Sequence, residues 1–468
     1  MFEPILIGAL FVPVLWLAIF MRWRWGLYGL LLYLPFAGAV TLLMSPNKAP
    51  LLFKDIFFVI PAYISFFVFH IRDLKLATVP GVVLGSMLAL AALVLIQTMN
   101  PGVTSFLVAA IGVKVWLFYM PLMFLAAAAI NTPEDLHRIL RLLLVVAVIP
   151  CAVGLIQWVA SATIGHEAAI TAFYGRAAAG ATQRFAQFDY GGAYYRIPST
   201  FTFTAQYFGF TLAMLVPAYI LLSIDPSRAW RNFARFMFGL IIVASILSGA
   251  RASVVFVPLL IAAMYLVEGR LSGLTAGIVI LPLLMFAVLY VAGIDPLQIV
   301  GATGFLVGKY TEQIVVKTVI DAVAEFPLGQ GTGMNTGPAR HVLAGGTFKA
   351  FESYYAKAIA ELGVVGLLAV LAVFASIILS GYRIMRRTRV PGSKRCAAAL
   401  AAFFIVMAIN SGKGWHVDLD PINVYFWIFA GILFKLPYLE VFPLQRRPEA
   451  LAARGMMTAG RPSPPGVR

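Results

Sequence analysis

The chain has 468 residues, 61% hydrophobic and only 12% charged, with a mean hydropathy of +0.91 and a formal net charge of +16. A soluble globular domain carries about 25% charged residues, so this length suits a large helical bundle but not a water-soluble one. The apolar runs are about 17–25 residues long, whereas a membrane strand needs only about 10 alternating ones, so the expected fold class is an all-α polytopic membrane protein.

The chain opens with MFEP, placing Glu3 before the first apolar run and Arg22 and Arg24 after it. A secretory signal peptide has its positive charge first and a small-residue cleavage site afterwards. The first segment is therefore expected to stay as an anchor. About thirteen membrane helices are expected, near 4–21, 26–44, 51–69, 79–97, 106–130, 139–160, 200–223, 235–250, 252–267, 271–292, 353–381, 396–411 and 421–437. The eighth and ninth are short and adjacent, and also fit a pair broken around Arg251. Cys151 and Cys396 both fall in apolar helix, where they build neither a disulfide framework nor a metal pattern. No internal repeat, inverted or direct, is visible. The tail from Leu444 is rich in Arg, Pro and Gly, and residues 444–468 are expected to be disordered and cytoplasmic.

Alternate connections carry unequal charge. One set, including Arg22, Arg24, Arg72, Lys75, Arg138, Arg141, Arg228, Arg231, Arg235, Arg270, the run RIMRRTRVPGSKR and the tail, holds 22 of the 35 Lys and Arg. The other set holds 10: Lys48, Arg176, Arg184, Arg196, Arg251, Lys309, Lys317, Arg340, Lys349 and Lys413. The richer set is expected to be cytoplasmic, which puts the N-terminus outside and the C-terminus inside. Most of the basic excess is then an orientation signal, and no nucleic-acid partner is needed to explain it.

Two of the outward connections are long, 161–199 and 293–352, on a membrane bundle of residues 1–443. Within the second, KYTEQIVVKTVIDAVAEF (309–326) spaces Ile314, Val315, Thr318, Val319, Val323 and Phe326 as an amphipathic helix, and Pro327 stops it. Loops of this length are usually functional, so chemistry is expected on this face.

Arginines that face outward run against the charge rule, and arginine holds phosphate bidentately. Arg251 sits in ILSGARASVVF among small residues that leave room for a ligand; the competing role is a helix cap or a snorkelling anchor. Arg196 precedes Pro198 on a stiff entry to the bundle, while Arg176 and Arg184 lie inside the loop where solvation is the simpler role. Arg340 and His341 follow the glycine string GQGTGMNTG, which fits neither a dinucleotide nor a P-loop spacing and reads as a flexible loop able to fold over a ligand. Glu352 begins the eleventh helix, either as a favourable first-turn charge or as a general base for a hydroxyl nucleophile. Lys357 and Glu361, four residues apart, are expected to form a buried ion pair. Lys54 with Asp55, and Lys114, read as interfacial anchors, the two lysines being secondary candidates for an anion site. His416, Asp418 and Asp420 fit a metal too loosely, and no metal or cofactor is expected. Ser–His–Asp patterns, CxxC pairs, a Walker loop and a cytoplasmic DxD-like pair are missing from the sequence.

These residues resemble the O-antigen ligase and polysaccharide polymerase superfamily of bacterial inner membranes. SGARAS (248–253) is similar to the family's small-residue–Arg motif between helices, and RIPSTF (196–201) to the Arg and polar turn after its mid-chain outer loop. The ligase pattern places His, a polar residue, nine residues, Gly, two residues and a final Gly, Thr or Tyr. Here Glu352, Ser353, nine residues, Gly363, Val364, Val365 and Gly366 keep that spacing, and LGQGTGMN is similar to the glycine-bearing segment upstream. Glutamate at the histidine position suits a repeat-unit polymerase better than a ligase.

The resemblance implies a metal-independent membrane glycosyltransferase in the inner membrane, polymerising polyprenyl-diphosphate-linked repeat units into surface polysaccharide or exopolysaccharide at the periplasmic face. Its partners would be the lipid-linked glycan, membrane lipids and other assembly proteins such as a chain-length regulator and a flippase. Arg196, Arg251 and Arg340 would hold the diphosphate, with Arg184 as a secondary candidate, and Glu352 or His341 would act on the acceptor hydroxyl. The rival functions are a ligase that moves finished glycan to lipid A core in lipopolysaccharide, and a polysaccharide transporter or flippase.

Overall fold

A computed structural model gives the fold and describes residues 2–45, 47, 49–178, 187–189, 192–270, 279, 281–341 and 351–439. The expected tail, 444–468, and Arg184 lie outside the described residues. The protein is an all-α polytopic membrane protein. Among the described residues ten helices are long and apolar enough to cross a membrane. They are α2 (Arg24–Leu43), α3 (Ala49–Phe69), α4 (Gly81–Met99), α5 (Phe106–Ala129), α6 (Pro133–Ile164), α8 (Thr204–Ile224), α9 (Arg228–Ile246), α14 (Tyr354–Arg387), α15 (Pro391–Ser411) and α16 (Ile422–Leu439). Further helices complete the order: α1 (Phe2–Met21), α7 (His166–Tyr174), α10 (Ser253–Glu268), α11 (Leu281–Val291), α12 (Pro296–Lys309) and α13 (Thr318–Glu325). α1, α10 and α11 lie where the remaining three spans were expected.

Hydrophobicity alone does not rank these helices, because lipid is as apolar as a protein core. Burial does. Within the apolar window of α16, 89% of residues are buried, and 83% in α8, against 22% in α4. α8 and α16 therefore form the centre, wrapped by α9, α14 and α15, and α4 stands at the rim. Phe210 of α8 meets Tyr425 of α16, and Phe403 and Phe404 of α15 meet Phe429 and Phe426 through edge-on ring contacts.

The two ends of the bundle differ. At the end bearing the basic connections, α6 starts with a capping box: Thr132 Oγ1 accepts from the Asp135 amide and Asp135 Oδ2 from the Thr132 amide. Arg141 binds the Asp225 carboxylate with two bonds of 2.8 Å, and Arg395 donates to Glu268 at 2.9 Å. Together these pairs tie α6, the α8–α9 turn, α10 and α15. The opposite, loop end carries the long connections. There β1 (Gln187–Asp189) pairs antiparallel with β2 (Ala193–Tyr195), with Gln187 opposite Tyr195. The expected amphipathic segment forms a continuous helical run after α12, π-helical over Tyr310–Lys317 and then α13. Ala322 of α13 is buried against Phe351, Ala356, Ile359 and Ala360, so the run lies over the start of α14.

Candidate functional site

The site is built by three connections at the loop end. The first two are locked together by a glycine. α9 ends at Ile246 and the chain turns through SGAR, where Gly249 has φ +76°. A Cβ at Gly249 would stand 1.9 Å from the Tyr195 carbonyl oxygen and 2.8 Å from Arg196 Cα. Only glycine lets the Arg251 turn press this closely on the Arg196 strand end, and the Ile197 amide then donates to the Ser248 carbonyl at 2.9 Å. Beyond Pro198 the backbone is strained: Ser199 has φ +52° without being glycine. Its position is held by Oγ donating to Pro150 O at 2.6 Å, by its amide donating to Gln157 Oε1 at 2.9 Å, and by the Tyr174 hydroxyl donating to its carbonyl. Thr200 Oγ1 also donates to Pro35 O, at 2.5 Å. RIPSTF is thus a rigid buried joint, with Arg196 and Arg251 half-buried at its mouth.

The third connection follows α15. Its first residues include Lys413, whose amide donates to Asn410 O at 3.0 Å. Burial pushes Lys413 down to about 8; Arg251 adds to the depression, Glu352 opposes it, and Arg196 lowers it further. Lys413 therefore shares one electrostatic field with all three. Arg196, Arg251 and Glu352, from parts of the chain up to 217 residues away, all lie close enough to Lys413 to act on its charge. Glu352 is exposed and lies one residue before the N-cap of α14, not within its first turn. Ser353 Oγ caps the helix by accepting from the Ala356 amide at 3.4 Å, so the helix end does not require Glu352 as a dipole partner.

Beside this cluster, the glycine string is held by the chain's own carboxylate. Glu361 is fully buried and accepts four hydrogen bonds: Trp116 Nε1 at 2.7 Å, the Gly333 amide at 2.9 Å, the Asn335 amide at 3.0 Å and Thr336 Oγ1 at 2.8 Å. The loop amides that an external phosphate would need are occupied by Glu361. Gly363 (φ +76°, ψ −174°) breaks α14 after its first nine residues. A Cβ at Gly363 would lie 2.7 Å from Pro327 O, and one at Gly329 2.6 Å from Glu361 O. The carbonyls freed by the break accept from the loop: Gln330 N to Ala360 O at 2.9 Å, and Gly331 N to Glu361 O at 3.0 Å. The nine-residue spacing between Ser353 and Gly363 is the length of one half-helix from cap to break. From Gly329 to Thr336 the loop is pinned, which corrects the expectation of a flexible carrier.

The expected Lys357–Glu361 pair does not form. Lys357 is fully buried and pairs with Asp418, while its ammonium lies 4.3 Å from the centre of the Trp116 ring. Trp116 stands between the two: cation on its face, carboxylate on its N–H. Lys54 and Lys114 converge on Asp55. Lys114 Nζ lies 2.6 Å and Lys54 Nζ 3.5 Å from its carboxylate, Tyr119 donates to it at 2.8 Å, and Lys54 also meets Asp420 at 3.0 Å. This network joins α3, α5 and the entry to α16. His416 stacks edge-on to Phe208 at 5.8 Å, and burial with the nearby Lys413 pushes it down to about 4, leaving the imidazole neutral near pH 7. His416, Asp418 and Asp420 thus go to three different partners.

Arg176 is exposed on the helical turn after α7. The backbone of Gly337–His341 makes a short 3-10 turn, and Gly337 sits over Trp415, two residues from Lys413; the side chains of Arg340 and His341 lie outside what the structure describes. Val315 of the π-helical run reaches the other side of this connection, its Cγ1 3.5 Å from where a Cβ on Gly412 would be. Lys413 is the member that sequence reasoning did not single out. A scan of the chain against protein-family models returned no match, and neither did a search of the curated proteins.

Proposed function

We propose that the protein is a metal-independent membrane glycosyltransferase that polymerises polyprenyl-diphosphate-linked oligosaccharide repeat units at the periplasmic face of a bacterial inner membrane. The observation that carries the reading is the meeting of Arg196, Arg251 and Lys413 with one carboxylate, Glu352, at the loop end of a membrane bundle. Three cations beside a single exposed carboxylate suit a substrate with an anionic leaving group and a neutral nucleophile. The sequence resemblance of the SGARAS, RIPSTF and Glu352–Gly366 segments points the same way, and Glu352 in place of histidine favours the polymerase over the ligase.

In this reading Arg196, Arg251 and Lys413 hold the diphosphate of the growing chain, with Arg340 as a further donor from the loop. The acceptor sugar hydroxyl attacks the anomeric carbon from the opposite side, with inversion. The C1–O bond to phosphate breaks, its electron pair leaves on the polyprenyl diphosphate, and the hydroxyl proton passes to the Glu352 carboxylate, with His341 as the rival base. Cations fixed before the reaction stabilise the charge that develops on the leaving group, an effect worth about 10²–10³ in rate per donor. The charge distribution among the connections supports the orientation, with the loop end periplasmic and the C-terminus cytoplasmic.

The test is Arg251→Ala at wild-type abundance in the membrane. The expected result is loss of long polymer with accumulation of single lipid-linked repeat units. Polymer of wild-type length and amount overturns the role, and loss of glycan from lipid A core with normal polymer length assigns the protein to ligation.

A further inference from the structure

A second polar pocket lies at the other end of the bundle, away from Glu352. It is walled by Arg24 at the start of α2, Asp73, Lys75 and Thr78 from the α3–α4 connection, Asn131 after α5, and Lys435 on α16. Lys435 is 7% exposed, and among the described residues it has neither a hydrogen bond nor an ion pair. Arg24 and Lys75 both lie close enough to repel its charge. Among the described residues the one carboxylate on the pocket wall is Asp73, which accepts from Trp23 Nε1 at 2.9 Å and forms no salt bridge with any of the three cations. The walls are fixed: the Tyr438 hydroxyl donates to Ala77 O at 2.7 Å, clamping α16 to the connection that carries Lys75.

A largely covered lysine set beside two other cations, with no counter-charge among the described residues, favours an anion in the pocket onto which its ammonium opens. Lys435 is four residues from the end of α16 at Leu439, about 6 Å along a helix axis. A helix that ends at the membrane surface would carry this ammonium near the boundary between lipid headgroups and acyl chains. The connections around it belong to the set richest in Lys and Arg, where anionic headgroups gather.

We propose that this pocket binds a phosphate oxyanion, with Lys435 at its floor and Arg24 and Lys75 at its rim. The phosphate group belongs to an anionic lipid headgroup or to a free phosphate. Thr78 and Asn131 add polar groups to the wall. The site is separate from the Glu352 cluster and does not depend on the function proposed for it.

The experiment uses the full chain reconstituted in vesicles of phosphatidylcholine alone, of phosphatidylcholine with phosphatidylglycerol, and of phosphatidylcholine with inorganic phosphate at matched ionic strength. Melting temperature and lipid retained through purification are read for the wild type, Lys435→Gln, Lys75→Gln and the exposed control Arg72→Gln. The expected result is stabilisation by phosphatidylglycerol, with retention falling about tenfold in Lys435→Gln and severalfold in Lys75→Gln, and unchanged in Arg72→Gln. In phosphatidylcholine alone, Lys435→Gln should melt no lower than the wild type, because an uncompensated buried charge has been removed. Stabilisation by inorganic phosphate but not by the lipid supports the site and assigns it to a soluble phosphate. No response to either anion, or a full response in Lys435→Gln, overturns the proposal. Should Lys435→Gln fail to fold, Lys75→Gln decides, since its side chain is exposed: an undiminished response overturns the site.

Discussion

Glu361→Gln is the sharpest probe of how the glycine string is held. The carboxylate receives two donors on each oxygen: Trp116 Nε1 and the Gly333 amide on Oε2, the Asn335 amide and Thr336 Oγ1 on Oε1. Glutamine keeps one oxygen; with its NH₂ turned toward Asn335 and Thr336, the Thr336 hydroxyl can rotate to accept, and the Asn335 amide is the one donor left facing an NH₂. A hydrogen bond to a charged group contributes about 1.5–3 kcal/mol, so even this orientation costs about 1.5–3 kcal/mol. The substitution should lower the unfolding midpoint in detergent and speed amide hydrogen exchange at Gly333 and Asn335. The α6 end of the bundle, tied by Arg141 and Asp225, should keep its protection. An unchanged midpoint together with unchanged exchange at those two amides would refute the idea that Glu361 organises the loop.

Three further outcomes are expected. Gly249→Ala should cost about 1–3 kcal/mol or more, since it meets both the φ restriction and the Tyr195 carbonyl, and should abolish polymer formation although all four site charges remain; melting and polymer analysis check both. Asp418→Asn leaves Lys357 charged and buried, and should destabilise by about 3–5 kcal/mol; a double-mutant cycle with Lys357→Met should recover a large coupling. Lys413 titrates near 8 in the folded protein and near 10.5 when unfolded. As pH rises through that window the unfolded chain binds the extra proton, so stability should rise. Donor binding, which needs the cation, should weaken as pH passes about 8, and Lys413→Met should flatten both profiles when melting and donor affinity are followed from about pH 7 to 10.

The spans were legible because bilayer thickness imposes a minimum length of apolar helix, and each of the ten spanning helices overlaps an expected run, with ends displaced by up to seven residues. Arg196 and Arg251 were legible because they break the charge rule. Lys413 breaks it too, but it follows a helix end in an ordinary polar loop, and its partners are far away in sequence. Spacing misled at Lys357 and Glu361. Four residues apart on one helix face, they read as a pair, yet Trp116 from a distant helix stands between them and Asp418 takes the lysine. The glycine string read as a flexible loop, and only the packing of α5 and α14 around Glu361 pins it. Ser199 carries no sequence mark at all, since its strain arises from bonds to α6.

The most direct measurement is a reaction with purified protein in vesicles, given a polyprenyl-diphosphate oligosaccharide as both donor and acceptor, without nucleotide or metal. A ladder of products longer by whole repeat units, lost in Arg196→Ala and Arg251→Ala proteins that melt like the wild type, is the predicted result. No elongation by the folded wild-type protein, or an undiminished ladder from either variant, would contradict the assignment of the Arg196–Arg251–Lys413–Glu352 cluster as the site of glycan transfer.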